Sequence, residues 1–366
     1  MQILIFVGVL LFLIIIHELG HFFTALWCKV NVLEFGIGIP PKVKTLFSFK
    51  GIPFTLNALP FGGFVRMEGE GESENGETPR QPGTVSLREL PLPKKLLVVL
   101  SGATINFLFG ILAFTIIFSI VGIPVKSPFV KVSGVSPNSP AEMVGLRAND
   151  EIKAVQTDNQ TVTITDQDQF VALVKEQKGK SITLEISRDG TVQQIPVTVR
   201  TDDQIPAGDG ALGVGLTSET LQRFAWYEMP FRAMLVGIDQ SVQFGWLILR
   251  SLGTMVGDLA SKGTVPTDVA GPIGIAYQVE KQDLFSAGPL AILNFAAMLS
   301  VNLAIMNVLP IPALDGGRAF FMLIEKLFPK SKRVQIEQIF NNVGFTLLIG
   351  LLILITFKDV VQIIRP

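Results

Sequence analysis

A hydrophobic run near the start of the chain, residues 3–27, constrains the fold more than any other feature of the sequence. An apolar stretch of about 20 residues is long enough to cross a membrane as one helix. No basic residue precedes the run and no small-residue cleavage site follows it, so a retained transmembrane helix is predicted rather than a signal peptide. The chain is therefore expected to be anchored in a membrane.

This apolar run contains His17, Glu18 and His21, arranged as an H-E-x-x-H motif. On a helix the spacing of four residues places both histidines on one face, where they can ligate one metal ion. Glu18 can reach a water on that metal and is the candidate general base. A charged group at bilayer depth costs about 2.5–3.5 kcal/mol on insertion scales, which favours zinc binding over a chance match. The chain has 2 histidines in all, and both are in this motif.

The composition agrees with a membrane protein and excludes some partners. Hydrophobic residues make up 48% of the 366 residues, and the formal net charge is −1. Because there is no large basic block, nucleic acid is not an expected partner. The single cysteine, Cys28, excludes an internal disulfide, although its thiolate could ligate a metal.

Three further apolar runs are predicted to span the membrane: residues 96–125, 290–309 and 343–357, the last extended back to Ile339. The expected division of the chain follows from these runs. It is 1–28 first span, 29–66 membrane-associated β-region, 67–93 mobile cytoplasmic linker, 94–125 second span, 126–204 folded domain, 205–287 amphipathic region, 288–318 third span, 319–335 cytoplasmic loop, and 336–366 fourth span with the C-terminal tail.

Basic residues concentrate between the first and second spans and between the third and fourth spans. The positive-inside rule therefore places these two loops in the cytoplasm, and the N-terminus and residues 126–288 outside. His17 would lie about 20 Å along the first helix, within the bilayer and towards its cytoplasmic side.

Residues 29–66 are too apolar for a free loop and too interrupted by glycine and proline for a helix. Short strands are predicted, joined by turns at Pro40-Pro41 and at Lys50-Gly51. Two placements are open. A strand edge beside the metal could receive an extended peptide by strand addition, or a small cytoplasmic sheet could lie on the membrane.

Residues 126–204 alternate short strands with two helices and contain S-P-A at 139–141, G-L at 145–146 and N-D-E-I at 149–152. This pattern resembles a PDZ domain of the bacterial, circularly permuted kind, whose ligand does not follow from its fold. In the next region, charged residues such as Arg232, Asp239 and Asp258 interrupt an apolar stripe. An interfacial amphipathic helix, or a pair of them, is favoured there over a fifth span.

A catalytic zinc site usually has three protein ligands and a water, so a third ligand is needed. Without a third histidine, it must be a carboxylate or Cys28. Asp315 is the candidate because it follows the third apolar run, in the segment N-V-L-P-I-P-A-L-D-G-G at 307–317, on the side predicted for the metal. The alternative is that Asp315 only caps a helix beginning near Gly316.

The H-E-L-G-H motif, the segment at 307–317 and the intervening PDZ-like pattern together resemble the site-2 protease family, and most closely its bacterial RseP-type intramembrane zinc metalloproteases. The fold implied is a multi-span α-helical membrane protein with a membrane-associated β-region and one α+β PDZ domain. The resemblance implies that His17, His21 and Asp315 bind zinc and that Glu18 is the catalytic base. The best-known Gram-negative members carry two PDZ domains, whereas this chain has length for one.

The resemblance also implies a set of residues that bind the unwound substrate. Asn307 would hydrogen-bond its backbone, and Pro310 and Pro312 would shape that loop. Asn106 matches the G-x-x-x-N element of the second span, although Ala103 stands where the family usually has proline. The β-region would pair with substrate, with Gly36 and Gly38 among the contacts, and the amphipathic region would gate entry.

The expected activity is zinc-assisted hydrolysis of a peptide bond, with one zinc ion per chain. By resemblance, the substrates are single-span membrane proteins such as anti-sigma factors or signal-peptide remnants, trimmed first by an upstream site-1-type protease. A bacterial plasma membrane is the expected location. Two other classes stay open: a membrane protease with its site in a cytoplasmic domain, and a non-catalytic zinc scaffold or carrier that would not need Glu18.

Overall fold

A computed structural model describes residues 1–70, 80–157, 160–206, 209–263, 270–329 and 332–364. Residues 71–79 of the expected linker therefore lie outside the described residues. The chain divides into two compact units, which are described separately. One comprises Met1–Ile120 and Pro230–Pro366, and the other comprises Val121–Met229.

The first unit is mainly helical. Its helices are α1 (Gln2–Trp27), α2 (Leu92–Val121), α5 (Met229–Lys262), α6 (Pro272–Lys281), α7 (Pro289–Val308), α8 (Asp315–Ile324) and α9 (Arg333–Ile364). Within the described residues, α1, α2, α7 and residues Gln335–Ile364 of α9 are long and apolar enough to cross a membrane. This confirms the prediction of about four such helices.

Helices α2 and α7 pack closely in the apolar interior of this unit. Phe114 of α2 packs with Ala297 and Val301 of α7 in a buried cluster. Gly110 permits this approach, because a Cβ there would lie 2.5 Å from the Val301 side chain. Helix α5 contains an apolar stripe with charged residues along its length and is not among the four candidate spans.

A two-stranded element, β1 (Val32–Phe49) and β2 (Ile52–Met67), follows α1. The turn at Lys50 and Gly51 is confirmed, and both residues have positive φ, as a tight hairpin turn requires. The predicted turn at Pro40-Pro41 is wrong, because β1 continues through both prolines. The fixed φ of proline suits an extended chain, and the missing N–H is tolerated where the pairing shifts register between Ile39 and Lys42.

Residues 35–37 of β1 lie between two segments of β2. Phe35 of β1 has partners on both sides, Val65 and Phe54, and the next two residues, Gly36 and Ile37, are paired in the same way. Phe22 of α1 packs into the same apolar cluster as Phe35 and Phe54. The last part of β2, residues 62–67, is thereby held beside α1.

The second unit contains a six-stranded antiparallel sheet in the order β7-β6-β4-β3-β8, with β5 paired to β4. Its elements are β3 (Ile123–Val135), α3 (Pro140–Met143), β4 (Glu151–Gln156), β5 (Thr161–Thr163), α4 (Gln167–Glu176), β6 (Ser181–Arg188), β7 (Thr191–Thr198) and β8 (Val214–Gln222). Ile152, Phe170 and Leu184 are among the residues that form its core.

The limits of this unit differ from the expected domain at 126–204. Strand β8 lies in the segment expected to be amphipathic helix, but it pairs with β3 from Ile123 to Val135. The partner strand decides the conformation of residues 214–222, and their sequence alone does not reveal that partner. The compact unit therefore ends at Met229.

Candidate metal centre

Three side chains from α1 and the start of α8 meet at one point. His17 and His21 lie one helical turn apart on α1, with their Nε2 atoms 3.2 Å from each other. Asp315 Oδ2 lies 3.1 Å from each Nε2. The ligand atoms of this group lie within 4.8 Å of one another. The structure thus brings together the three residues that the sequence analysis proposed as metal ligands.

A tight loop between α7 and α8 brings Asp315 to the histidines. A Cβ on Gly316 would lie 2.2 Å from the carbonyl oxygen of Leu309, and one on Gly317 would lie 2.1 Å from that of Ile311. Only glycine fits at both positions. Leu314 occupies the N-cap position of α8, so the alternative that Asp315 only caps this helix is not supported.

The orientation of His21 is fixed by a backbone group. Its Nδ1 lies 2.9 Å from the carbonyl oxygen of Val98, so Nδ1–H donates and Nε2 keeps its lone pair. That lone pair faces the carboxylate oxygen of Asp315, which is also an acceptor. Two acceptors 3.1 Å apart in a largely buried place require a cation between them, either a proton or a metal ion.

The chemistry of the donor set fits zinc. Two imidazole nitrogens and one carboxylate oxygen form a set of three protein ligands, as in catalytic zinc sites. The other candidate ligand, Cys28, is buried in an apolar cluster with Ala25 and Val30 and is not part of the group of three.

Two glycines let α1 and α2 approach closely at the site. A Cβ on Gly102 would lie 2.4 Å from His21 Nε2 and 2.7 Å from His17 Nε2. A Cβ on Gly20 would lie 2.7 Å from the carbonyl oxygen of Ser101. Gly102 is the glycine of the matched G-x-x-x-N element, but neither glycine was predicted to permit this approach, although small residues in apolar helices are a known signal of close helix packing.

Glu18 lies between two cavities. One, of about 140 Å³, is lined by Glu18 and His21 together with Glu70 and Arg318. The other, of about 250 Å³, is lined by Glu18 and His17 together with Asn106 and Asn307. A side chain at this position can exchange a proton with a group in either cavity.

The residues expected to bind substrate are found in different places. Asn307 and Asn106 line the larger cavity, and Asn106 is fully buried. Pro310 and Pro312 lie in the loop before Asp315, and Pro312 packs so closely on α9 that a Cβ on Gly344 would lie 2.0 Å from it.

Gly36 and Gly38 line neither cavity and instead pack against β2. A Cβ on Gly36 would lie 2.3 Å from the Phe64 ring, and one on Gly38 would lie 2.5 Å from the carbonyl oxygen of Leu59. Gly62 and Gly63 of β2 line the larger cavity in their place, and a Cβ on Gly63 would lie 3.0 Å from Glu18 Cγ. The sequence analysis did not single out these two residues.

An ion pair between Glu70 and Arg318 lines the smaller cavity. Arg318, three residues after Asp315, pairs with Glu70, which also accepts a hydrogen bond from the Met67 backbone N–H at 3.1 Å. The end of β2 is thereby tied to α8, and both elements line the cavity beside Glu18.

Comparison with known proteins identifies the family of the chain. A family model described as "Peptidase family M50" matches residues 5–351. A Clostridium perfringens (strain 13 / Type A) protein named "Putative zinc metalloprotease CPE1693" is 34% identical over 354 residues, covering 95% of each chain. An Enterococcus faecalis protein named "Probable protease eep" is 26% identical over 433 residues, covering 98% of each chain.

Among solved structures, the PDZ domain of an SdrC-like protein from Listeria monocytogenes covers 25% of this chain and 92% of its own, with 20% identity and a TM-score of 0.21. The family match extends over nearly the whole chain, and the Clostridium perfringens relative is covered almost from end to end. The chain therefore belongs to peptidase family M50, the site-2 protease family, and is a zinc metalloprotease.

Proposed function

We propose that this metalloprotease cleaves peptide bonds inside membrane spans. The observation that carries the proposal is the position of the site: His17, Glu18 and His21 lie within α1, an apolar helix of 26 residues that is long enough to cross a membrane. A hydrolytic group embedded in such a helix suits a substrate that is itself in the membrane, since charged residues at this depth are costly and usually functional.

The proposed ligands of one zinc ion are His17 Nε2, His21 Nε2 and a carboxylate oxygen of Asp315. When bound, zinc would supply a Lewis acid for the scissile carbonyl and lower the pKa of water to about 7. Val98 fixes the ring of His21 through its carbonyl oxygen, so that this ligand is oriented in advance.

Glu18 is the proposed general base and acid. Its carboxylate takes a proton from the attacking water as oxygen bonds to the scissile carbon, and it returns that proton to the amine as the carbon–nitrogen bond breaks. Asn307 in the larger cavity would donate a hydrogen bond to the backbone of the unwound substrate.

An extended substrate would pair with the end of β2. Residues Gly63 to Val65 pair with Ile37 to Phe35 on one side, and the described residues provide no strand on the other side. Such an edge can accept a peptide by strand addition. We place this contact at Gly62 and Gly63 rather than at Gly36 and Gly38, because the latter pair is covered by β2.

The remaining roles follow from the family resemblance and from charge. We propose that the loops 29–93 and 319–335 face the cytoplasm of a bacterium, with the site towards that side of the plasma membrane. The second unit, Val121–Met229, is called the sheet unit and would act as a single PDZ domain outside the membrane. Helix α5 would lie at the membrane interface beside the entry path of the substrate. Substrates would be single-span proteins, such as anti-sigma factors or signal-peptide remnants, already trimmed by an upstream protease.

The test compares the wild type with Glu18→Gln in detergent, with zinc content measured for each. Both are incubated with single-span substrates that lack their outer domains, and Glu89→Gln serves as a control at an exposed carboxylate outside the site. The wild type and the control should cut within the span. Zinc-loaded Glu18→Gln should cut about 100- to 10,000-fold more slowly, the usual contribution of a general base. Equal cutting by all three would refute the role of Glu18.

A further inference from the structure

The two histidines of the metal centre differ in what holds their outer ring nitrogens. For His21, Nδ1 donates to the carbonyl oxygen of Val98, which leaves Nε2 free to bind a metal. A metal-binding histidine nearly always donates its other N–H in this way, because the donation fixes both the tautomer and the ring orientation. His17 should therefore have an acceptor at its own Nδ1.

The group at that position is the side-chain amide of Asn106. Its Nδ2 lies 3.4 Å from His17 Nδ1. Asn106 is fully buried, and its Oδ1 is a buried atom without a hydrogen-bond partner among the described residues. The backbone of Asn106 is held in place, since its carbonyl oxygen accepts a hydrogen bond from Ser300 Oγ at 2.8 Å.

With the amide NH₂ towards His17, Nδ1 of the ring would have to accept, and the proton of the neutral ring would be on Nε2. A ring in that tautomer cannot ligate a metal through Nε2, the atom that lies 3.1 Å from Asp315. A half-turn of the Asn106 amide exchanges its oxygen and nitrogen. The oxygen then accepts from Nδ1–H, and the lone pair of Nε2 is directed to the site.

We propose, on the basis of the function proposed above, that Asn106 is a positioning residue: its Oδ1 accepts the Nδ1–H of His17 and so holds Nε2 as a zinc ligand. The half-turn gives Asn106 Oδ1 a hydrogen-bond donor. It also fixes His17 in the same tautomer that the carbonyl oxygen of Val98 fixes in His21. The NH₂ group then takes the buried place of Oδ1, in a residue that lines the larger cavity.

The small number of histidines makes a direct test practicable. The chain has 2 histidines, so the full-length protein labelled with ¹⁵N-histidine gives signals from these two rings alone. The nitrogen chemical shifts of the zinc-loaded wild type should show both rings protonated at Nδ1 and bound through Nε2. His17 protonated at Nε2, or bound through Nδ1, would overturn the proposal even if no variant folds.

Two variants of Asn106 separate positioning from packing. Asn106→Leu has a similar size but no acceptor, and zinc affinity measured by chelator competition should fall about 10- to 100-fold, as is usual when such a partner is lost. Its His17 signals should change while those of His21 stay. Asn106→Asp restores an acceptor and should recover wild-type zinc affinity and the Nδ1-protonated ring.

Asn307→Leu is the matched control, because Asn307 lines the same cavity but is proposed to contact substrate. Its zinc affinity and both histidine tautomers should equal those of the wild type. Wild-type zinc affinity in Asn106→Leu would overturn the proposal. A wild type that binds no zinc would overturn the proposed function as well, whereas zinc bound with His17 in the other tautomer would overturn only the role of Asn106.

Discussion

Each unit of the molecule contains a largely buried aspartate, and the two differ in their partners. Asp150 in the sheet unit is 1% exposed. It accepts hydrogen bonds from the backbone N–H of Arg147 at 2.8 Å and from Arg188 Nε and a terminal guanidinium nitrogen at 2.7 and 2.6 Å. Asp315 in the helical unit has two imidazole nitrogens at 3.1 Å, one of which is left without a proton by the Val98 contact.

The difference separates a structural carboxylate from a proposed metal ligand. The charge of Asp150 is balanced by a cation of the protein itself, and its oxygens have donors, so its environment is complete. The environment of Asp315 consists of groups that compete for the same proton or cation. A buried carboxylate that faces other acceptors, as Asp315 does, indicates metal binding, whereas burial alone does not.

The largest expected effect comes from removing the charge of Asp315. Asp315→Asn keeps the shape of the side chain but loses the anionic oxygen, so zinc affinity should fall by more than the 10- to 100-fold typical of outer-shell changes. Competition with a chelator measures it. Cys28→Ala is the control and should bind zinc as the wild type does, because Cys28 lies in the apolar cluster. An equal loss of zinc affinity in Cys28→Ala and Asp315→Asn would contradict the assignment of Asp315, and not Cys28, as the ligand.

The second prediction concerns the glycine that lets the helices meet at the histidines. Gly102→Ala places a methyl group 2.4 Å from His21 Nε2, so the ring must move, and we expect both zinc and cleavage to be lost. Gly8→Ala on α1 is the matched control, since nothing lies within 4 Å of a Cβ there. Zinc content and substrate cleavage are measured together. Full activity in Gly102→Ala would contradict the close approach of α1 and α2 at the two histidines.

The third prediction applies the same kind of change to the structural aspartate. Asp150→Asn leaves Arg188 without its counter-charge, and breaking a buried pair of this kind costs about 3–5 kcal/mol. The lower end is expected, because the Arg188 side chain is 21% exposed. Hydrogen exchange within Val121–Met229 of the full-length protein, followed against urea, measures the change. Zinc content should not change, and its loss would contradict the assignment of Asp150 as purely structural.

The same pair gives the sheet unit a defined dependence on pH. Burial raises the pKa of Asp150, but the hydrogen bonds from Arg188 and from the Arg147 N–H outweigh it and hold the pKa below its usual value. A lowered pKa in the folded state stabilises the fold above the usual pKa of about 3.9, and this stability is lost as the pH falls through the folded value. Asp150→Asn should lack this contribution, so the free energy of unfolding of this variant should change less with pH in acid.

The smallest predicted effect is at a helix end. Asp166 caps α4 by accepting a hydrogen bond from the Gln169 N–H at 2.8 Å. Asp166→Ala should destabilise the sheet unit by about 1 kcal/mol, measured by the same hydrogen-exchange experiment. Asp168→Ala in the first turn of that helix is the control and should have a smaller effect. Cleavage should be unchanged in both variants.

Parts of the site that depend on local spacing could be predicted from sequence. The four-residue interval of His17 and His21 fixes their common face on any helix. Asp315 is 294 residues from His21, and the proline- and glycine-rich segment around it made the prediction possible.

Parts that depend on tertiary packing could not be predicted. The carbonyl oxygen of Val98 is present in every residue type, so no sequence signal marks it as a partner of His21. Gly63 lies beside Glu18 only because two segments of β2 flank residues 35–37 of β1. Strand β8 joins the sheet only through its pairing with β3. The Pro40-Pro41 turn was predicted incorrectly, because proline is also compatible with an irregular extended strand.

X-ray absorption at the zinc edge of the purified wild-type protein identifies the ligands of the metal directly. We expect one zinc per chain with nitrogen and oxygen ligands at about 2.0–2.2 Å, two of them imidazoles. A sulfur ligand at about 2.3 Å would implicate Cys28, the one cysteine of the chain, and would contradict the assignment of Asp315. A protein that binds no zinc would contradict the proposed zinc site of His17, His21 and Asp315.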